Sequence, residues 1–576
     1  MQKTNQDIAK MLYEMAELFE MNDVPFKPRA FEKAARSVEV FGDSISDLYK
    51  QNGKLELRKI SGVGKGIADR IVEYIDTNRI REYEKMKKKI PINVSELSSI
   101  EGVGPKMIRE LYTELKIKNL SDLERAAKDG KLQTLPGFGK KLEAKILKGI
   151  EFQKTSSGRI PLGEALPLAR SIIVRLEEKK LAEKIILAGS CARWKETVGD
   201  IDIIAVSSRP REIMNFFASL QEVKDVLIKG DTKTSVRLKI GIDADIRVVP
   251  KKSLGATIQY FVGNKSHNIA LRTIAEKIGY KLNEYGLFKG TKQIAGDNEK
   301  DIYKMLGLDW IPWEMRGNTG EIDLAKKHKL PNLVGYDDVR GDLQTQTDWT
   351  DGEHSIEDMT REAERLGREY IAITDHTKAL AMTGGSDEKK LERQIKEIKK
   401  LNNKLQKEGA KIKILSGAEV NILKDGSLDI DDKTLAKLDI VGVAVHSLFN
   451  MPEKEQTARI IRAIENPNVD ILFHPTGRII NKRPPYAVDL NEIFKVASRT
   501  GTILEIDAHP WRLDLKDEHI KLAKEYCCKF VIDTDAHSIG ELSYIEYGIG
   551  QARRAGLEKK NIINTLPLKG LLSKLK

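Results

Sequence analysis

Between residues 370 and 537 six apolar runs, YIAITDH, KILSGAE, IVGVAVHS, DILFHP, TILEID and FVIDTDAH, each end in a side chain able to hold a metal ion, with helical stretches between them. No other pattern in the chain restricts the fold as strongly. Short β-rich runs without polar alternation suit parallel strands covered on both faces, and ligands gathered at the carboxyl ends of successive strands are what a β/α barrel provides. On this reading His376, Glu419, His446, His474, Asp535 and His537 converge on one rim. Four of the chain's nine histidines are used there, and histidines scattered through a core would have no reason to follow apolar strands so regularly. The stretch GDLQTQTDWTDG, residues 341–352, adds Asp351 to the same mouth but puts Gln344 and Gln346 at its inward positions. A neutral amide is a poor ligand beside imidazole or carboxylate, so this is either a metal site that has lost a corner or no metal site.

The middle of the chain reads KIILAGSCARWKETVGDIDIIAVSS from Lys184. Two β-branched runs frame a Gly189-Ser190 loop, and in the second run Asp200 and Asp202 are two apart, so both carboxylates share one face of a strand. Like charges that close repel unless a cation joins them. The later run IDADIRVVP carries Asp243, Asp245 and Arg247 on one face and can bring a third carboxylate to the pair. Three carboxylates on adjacent strands suit two magnesium ions and the in-line chemistry of nucleotidyl transfer. A lone DxD is common and would only cap a strand; the loop before it and the acidic strand after it tip the balance.

In the first 150 residues a pattern recurs three times: ISGVGKGIADRI from Ile60, IEGVGPKMIREL from Ile100 and LPGFGKKLEAKI from Leu135. The pairs Gly62 and Gly64, Gly102 and Gly104, and Gly137 and Gly139 permit tight turns into helices and bare backbone amides there. Such amides, with Lys33, Lys65 or Lys106 near, bind a phosphate without reading sequence. Charge agrees: residues 1–340 hold 61 Lys and Arg against 48 Asp and Glu, whereas residues 341–576 hold 37 against 38. A basic excess confined to one part implies a polyanion partner for that part.

The 576 residues exceed one core and require several domains. No apolar run approaches the ~20 residues that span a bilayer, and MQKTNQDIAKMLYEM lacks a signal peptide's apolar stretch, so a cytoplasmic protein without a membrane partner is expected. Cys191, Cys527 and Cys528 offer no disulfide framework.

The motif GSCARWKETVGDIDII resembles the nucleotidyltransferase signature of family X DNA polymerases, and the motif order over nearly the whole chain resembles the bacterial and archaeal PolX type with a C-terminal PHP (polymerase and histidinol phosphatase) domain. The resemblance implies a multidomain α+β and α/β protein. Its parts are a helical, lyase-like DNA-binding domain (1–85), helix-hairpin-helix fingers (86–155), a nucleotidyltransferase palm (156–250), a thumb (251–317), a linker (318–340) and a PHP domain folded as a distorted β/α barrel (341–576). It implies a DNA-directed DNA polymerase that fills short gaps in repair, a monomer acting on gapped or primer-template DNA and dNTP.

By the same resemblance Asp200, Asp202 and Asp245 hold two Mg2+ or Mn2+ ions, while Gly189, Ser190 and Arg193 hold the triphosphate. The family often has a second arginine where this chain has Ala192, which implies weaker triphosphate binding. The segment YFVGNKSHNIALR resembles the nucleotide-binding thumb segment. It sets Tyr260, Phe261 and Gly263 against the sugar, Asn268 near the base edge and Arg272 near the template, with Asn264 where a serine is usual. Animal relatives carry a Schiff-base lysine where this chain has Arg70, which implies little or no abasic-sugar lyase activity.

In the PHP family an HxH pair joins Glu419 and Asp535 at one metal; Glu419, His446 and His474 hold a second, and Asp351, His376 and His537 a third. With Gln344 and Gln346 replacing HxH, the resemblance implies fewer than three Zn2+ or Mn2+ ions and a reduced 3′-5′ exonuclease or abasic-site endonuclease. Two rival readings are a repair nuclease whose palm only positions DNA, and a non-catalytic DNA scaffold.

Overall fold

The computed structural model describes every residue except 1–4, 40, 42–44, 90–91, 93, 99, 101–102 and 157. The first 156 residues are helical among those described, and apolar side chains from Ile8 to Ile150 form one contiguous core. The two regions expected as 1–85 and 86–155 therefore share an interior, and Arg109 ties them further by donating to Met21 O at 3.0 Å and Asp23 Oδ2 at 2.7 Å.

The hairpin glycines fall at helix starts. Gly64 and Gly104 cap the helices Lys65–Thr77 and Pro105–Leu115, and the third hairpin feeds Lys140–Ser156. Gly62 and Gly137 have φ of 73° and 81°, the left-handed region that a side chain resists. A Cβ on Gly62 would also crowd Lys33 Cγ at 2.9 Å and Ala34 N at 3.0 Å. Around Gly64, Gly104 and Gly139 the space is open, which is what close approach of a phosphate requires. Gly102 lies outside the described residues. Lys33 and Lys65 are exposed beside the first turn, and Lys106 beside the second.

The palm is a five-stranded sheet in the order Lys184–Leu187, Asp200–Val206, Asp243–Val248, Lys233–Leu238, Val223–Lys229. Its two acidic strands run parallel side by side. Helices Leu162–Glu178 and Pro210–Ala218 cover one face with a core of Ile172, Ile201, Phe217 and Ile246. The thumb follows, with helices Leu254–Val262 and Lys265–Lys277 and a three-stranded antiparallel sheet.

The expected barrel is present. Seven parallel strands, Gly341–Asp342, Tyr370–Ile373, Lys413–Asn421, Ile440–Ala444, Ile471–Leu472, Ile503–Asp507 and Phe530–Asp533, pair in sequence order. A bridge from Thr345 to Ala536 brings the first strand's continuation against the last. Tyr370, Leu415, Ile471, Phe473 and Val531 fill the interior. The linker is not slack: Ile322 and Ala325 enter the thumb core, and Val334 and Val339 enter the barrel's outer core. Three barrel-domain residues, Ile480, Leu513 and Tyr547, belong to the palm core, so palm and barrel pack as one body. No helix among the described residues is long and apolar enough to cross a membrane.

Candidate active sites

In the palm the register decides which carboxylates meet. Asp200 lies opposite Asp243 and Asp202 opposite Asp245, all on one face by the two-residue period. Asp243, at the strand's outer end, is engaged by Arg237. Asp245 sits one step further in, with Lys233 Nζ at 3.0 Å from its Oδ2. Burial pushes the Asp202 carboxyl up to about 7, and the charges of Asp200 and Asp245 push in the same direction. This crowding of oxygens around a mostly buried carboxylate fits a divalent cation, which would reverse it.

The Gly-Ser loop lies against these carboxylates. Gly189 has φ of 65°, and a Cβ there would overlap the Asp202 carboxylate. Ser190 Oγ is buried and makes no hydrogen bond among the described residues. Arg193 donates to Gly189 O at 3.1 Å and to Val262 O at 2.6 Å, so it bridges the loop to the thumb's first helix. Burial, with Arg554 near, lowers its guanidinium to about 10.

On the thumb, Tyr260 and Phe261 meet edge to face at 5.1 Å, and Arg247, two residues past Asp245, lies 4.9 Å over the Phe261 ring. The aromatic pair thus borders the carboxylate face. Asn268 is buried and braces the turn: its amide donates to Tyr260 O at 2.6 Å and Gly263 O at 3.2 Å and accepts from Gln259 Nε2 at 2.8 Å. A Cβ on Gly263 would come within 2.5 Å of Asn268 Oδ1, so glycine is needed there. Asn264 caps the next helix and donates to Gly317 O at 3.0 Å, while Arg272 projects to solvent.

The barrel rim brings the expected ligands together around Glu419. His446 Nε2 and His474 Nε2 lie 3.0 and 2.8 Å from its Oε1, and His376 Nδ1 lies 3.2 Å from its Oε2. Two groups have donor atoms within 4.8 Å of one another: Asp351, His376 and His537, and His376, Glu419 and His446. Full burial alone would raise the Glu419 carboxyl, but the imidazoles of His376, His446 and His474 hold it well below the usual range. Asp351 Oδ1 and His474 Nδ1 are buried and make no hydrogen bond among the described residues. These donor sets fit divalent ions. His474 and Asp535 have φ of 27° and 52°, strained for non-glycine residues and typical of positions held for function.

The glutamines are fully buried and act as donors. Gln346 Nε2 gives hydrogen bonds to Glu419 Oε2 at 2.8 Å and Asp535 Oδ1 at 3.3 Å. The Gln344 amide lies against the Glu505 carboxylate and, with its nitrogen turned to it, donates to Oε2 at 3.2 Å. Arg512 Nε lies 3.3 Å from Asp535 Oδ2 and 3.6 Å from Asp507 Oδ2. Two amides and a guanidinium therefore satisfy the carboxylates of Glu419, Glu505, Asp507 and Asp535 on this side of the rim.

Asp507 ends TILEID, one of the runs with a potential ligand at its end, but was not placed on the rim, and Glu505 and Arg512 were missed in the sequence. Burial, and the neighbouring carboxylates, hold Glu505 and Asp507 well above the ordinary range. Asn421, whose Oδ1 is 2.7 Å from His446 Nδ1 and orients that ring, had no motif to mark it. Arg159, which donates to Thr197 Oγ1 at 3.0 Å beside Gly199, adds a cation to the palm rim and was also missed.

Four family models match: a helix-hairpin-helix domain over residues 3–80, a SAM-like helix-hairpin-helix tandem over 94–151, the DNA polymerase beta thumb over 257–317 and the PHP domain over 342–509. The chain is 37% identical over 99% of its length, and 99% of the relative's, to the DNA polymerase/3′-5′ exonuclease PolX of Bacillus subtilis (strain 168). It is 30% identical, over 39% of its length and 90% of the relative's, to a protein of Thermoanaerobacter sp. (strain X514) named as a probable phosphatase. It is 22% identical to DNA polymerase lambda of Rattus norvegicus over 53% of this chain and 55% of that one.

Proposed function

The chain belongs to the PolX family of DNA polymerases that carry a PHP domain, and from this we propose that Asp200, Asp202 and Asp245 perform its gap-filling nucleotidyl transfer. It is a DNA polymerase that binds DNA through its helix-hairpin-helix region, takes dNTP and depends on divalent metal. The observation that carries the residue assignment is the parallel register that sets Asp202 against Asp245 while Arg237 takes Asp243.

Asp200, Asp202 and Asp245 would hold Mg2+ or Mn2+, which when bound would polarise the attacking 3′-hydroxyl and offset the charge of the triphosphate. Ser190 and Arg193 hold the triphosphate from the loop side, and Asp245 stands ready to accept the hydroxyl proton. Tyr260 and Phe261, on a turn braced by Asn268, set the sugar of the incoming nucleotide. The primer 3′-oxygen bonds to the α-phosphate and pyrophosphate leaves. The hairpins grip the duplex backbone on both sides of the gap. Primer extension on a one-nucleotide gap tests this: dNTP-dependent addition is expected, and its absence from protein supplied with Mg2+ and with Mn2+ overturns it.

In the barrel, Glu419 with His446 and His474, and Asp351 with His376 and His537, would hold two Zn2+ or Mn2+ ions, which supports a phosphoesterase slower than a three-metal one. Lyase chemistry is not part of the reading. Arg70 offers a guanidinium in place of an amine and is committed to Glu82 Oε2 at 2.7 Å and Gly66 O at 2.6 Å. Borohydride treatment on abasic DNA is expected to trap no covalent adduct; efficient trapping would show that another amine serves.

A further inference from the structure

We infer that the barrel helix Ile545–Arg554 is a working part of the polymerase site, because it fixes the loop that presents Ser190 and Arg193 to the triphosphate. Two of its side chains reach across the domain boundary to the loop backbone. Arg554 Nη1 donates to Arg193 O at 2.7 Å, and Gln551 Nε2 donates to Trp194 O at 2.8 Å. Both side chains are removed from solvent, Gln551 at 1% exposure and Arg554 at 10%. Arg554 is itself held by Asp517 through its other terminal nitrogen at 2.5 Å.

Trp194 is the reason that such a grip is needed. It has φ of 54°, a conformation that a bulky residue adopts only where its surroundings impose it. Its indole lies on Gly550, where a Cβ would come within 2.7 Å of the ring. Tyr547 meets it edge-on at 5.7 Å, and Tyr336 lies 5.7 Å away at a tilt. Arg170 stands 5.9 Å over the indole and is clamped to Glu546 of the same helix by hydrogen bonds of 2.6 and 2.9 Å. The carbonyls of two successive residues and the ring of the second are thus all held from the barrel side. The Arg193 guanidinium, held in turn by Gly189 O and Val262 O, points from this backbone into the triphosphate loop. If the helix let go, Trp194 would relax and Arg193 would move with it.

This gives the barrel a task independent of its own chemistry, consistent with a domain that stays tightly folded although one metal corner has been given up. The helix also begins just past the rim: Glu541, four residues before it, accepts from His537 N at 2.6 Å. Gln551, Arg554 and Gly550 are positioning residues here, since none reaches the reacting atoms.

The inference rests on the polymerase reading, and the test separates the two. Steady-state filling of a one-nucleotide gap would be compared for full-length native protein, Gln551→Ala, Trp194→Ala and Trp194→Phe. Gln551→Ala and Trp194→Ala are expected to raise KM for dNTP about tenfold, with kcat changed by less than about threefold. Affinity for gapped DNA without nucleotide stays at the native value in both. Trp194→Phe keeps an aromatic face over Gly550 and returns KM to within about threefold of native. Should Trp194→Ala fail to fold, Gln551→Ala decides alone. An unchanged KM for dNTP in Gln551→Ala overturns the inference and leaves the polymerase reading standing. A native protein that adds no nucleotide overturns both.

Discussion

Replacing Asp202 by asparagine lowers single-turnover nucleotide addition by about a thousandfold or more, whereas the same change at Asp243 costs less than about tenfold; this is the expected pair of results at saturating dNTP and Mg2+. Asparagine keeps the shape of the side chain against Gly189 but removes its charge. Asp202 is the middle member of the carboxylate set, with Asp200 two residues before it and Asp245 across the ladder. Its loss removes a charged oxygen pair from the carboxylate set that would hold the metal, and about 4 kcal/mol of lost transition-state stabilisation corresponds to that thousandfold. Asp243 lies on the same face yet already spends its charge on Arg237 near solvent. Stability separates a chemical effect from a folding one. The Asp202 carboxyl is raised by burial first and by its acidic neighbours next, from 3.8 to about 7. The folded protein therefore binds more protons than the unfolded one between those values, and metal-free stability falls as pH rises through them. At pH 8 without metal, Asp202→Asn is thus expected to melt no lower than the native protein, and by this sign higher. A variant that keeps more than a tenth of the native addition rate would remove Asp202 from the chemistry.

The residues legible in the sequence are those whose role follows from a local period. Asp200 and Asp202 could be assigned to one face because side chains alternate along a strand, and His376, Glu419, His446 and His474 could be gathered because barrel strands present their ends on one rim. In the structure Asp202 lies opposite Asp245, and His376, His446 and His474 each come within 3.2 Å of a Glu419 oxygen. What no period reveals is pairing between distant segments. Trp194 reads as an ordinary loop residue, and only the fold shows it seated on Gly550, with Arg554 reaching the carbonyl next to it. The shared core of the first 150 residues is hidden for a similar reason: a hairpin motif states that two helices turn, not which hairpins pack together. Glu505 and Asp507 show the opposite difficulty. Their position at a strand end was readable, but a carboxylate that faces an amide or a guanidinium looks the same in sequence as one that faces a metal.

Restoring imidazoles at the filled corner is expected to change the barrel's metal content as well as its rate. The double substitution Gln344→His and Gln346→His is expected to raise bound Mn2+ in the barrel from two ions to three and to accelerate removal of 3′-terminal nucleotides by about ten- to a hundredfold. In the native protein Gln346 Nε2 occupies lone pairs of both Glu419 and Asp535, and Gln344 turns to Glu505. An amide N–H and a cation compete for the same carboxylate oxygens, so the corner is satisfied without an ion, and Arg512 beside Asp507 and Asp535 already offsets part of the negative charge. Two neutral imidazoles offer lone pairs instead of protons, which converts those carboxylates from hydrogen-bond acceptors into metal ligands. Metal content would be measured by elemental analysis on protein whose three palm aspartates are alanine, so that every bound ion belongs to the barrel. Three ions already present in the protein with both glutamines would show that a cation displaces the amides unaided. Two ions in the histidine variant would show instead that Arg512, rather than the glutamines, keeps the third one out, because its charge is the remaining feature of the corner that repels a cation.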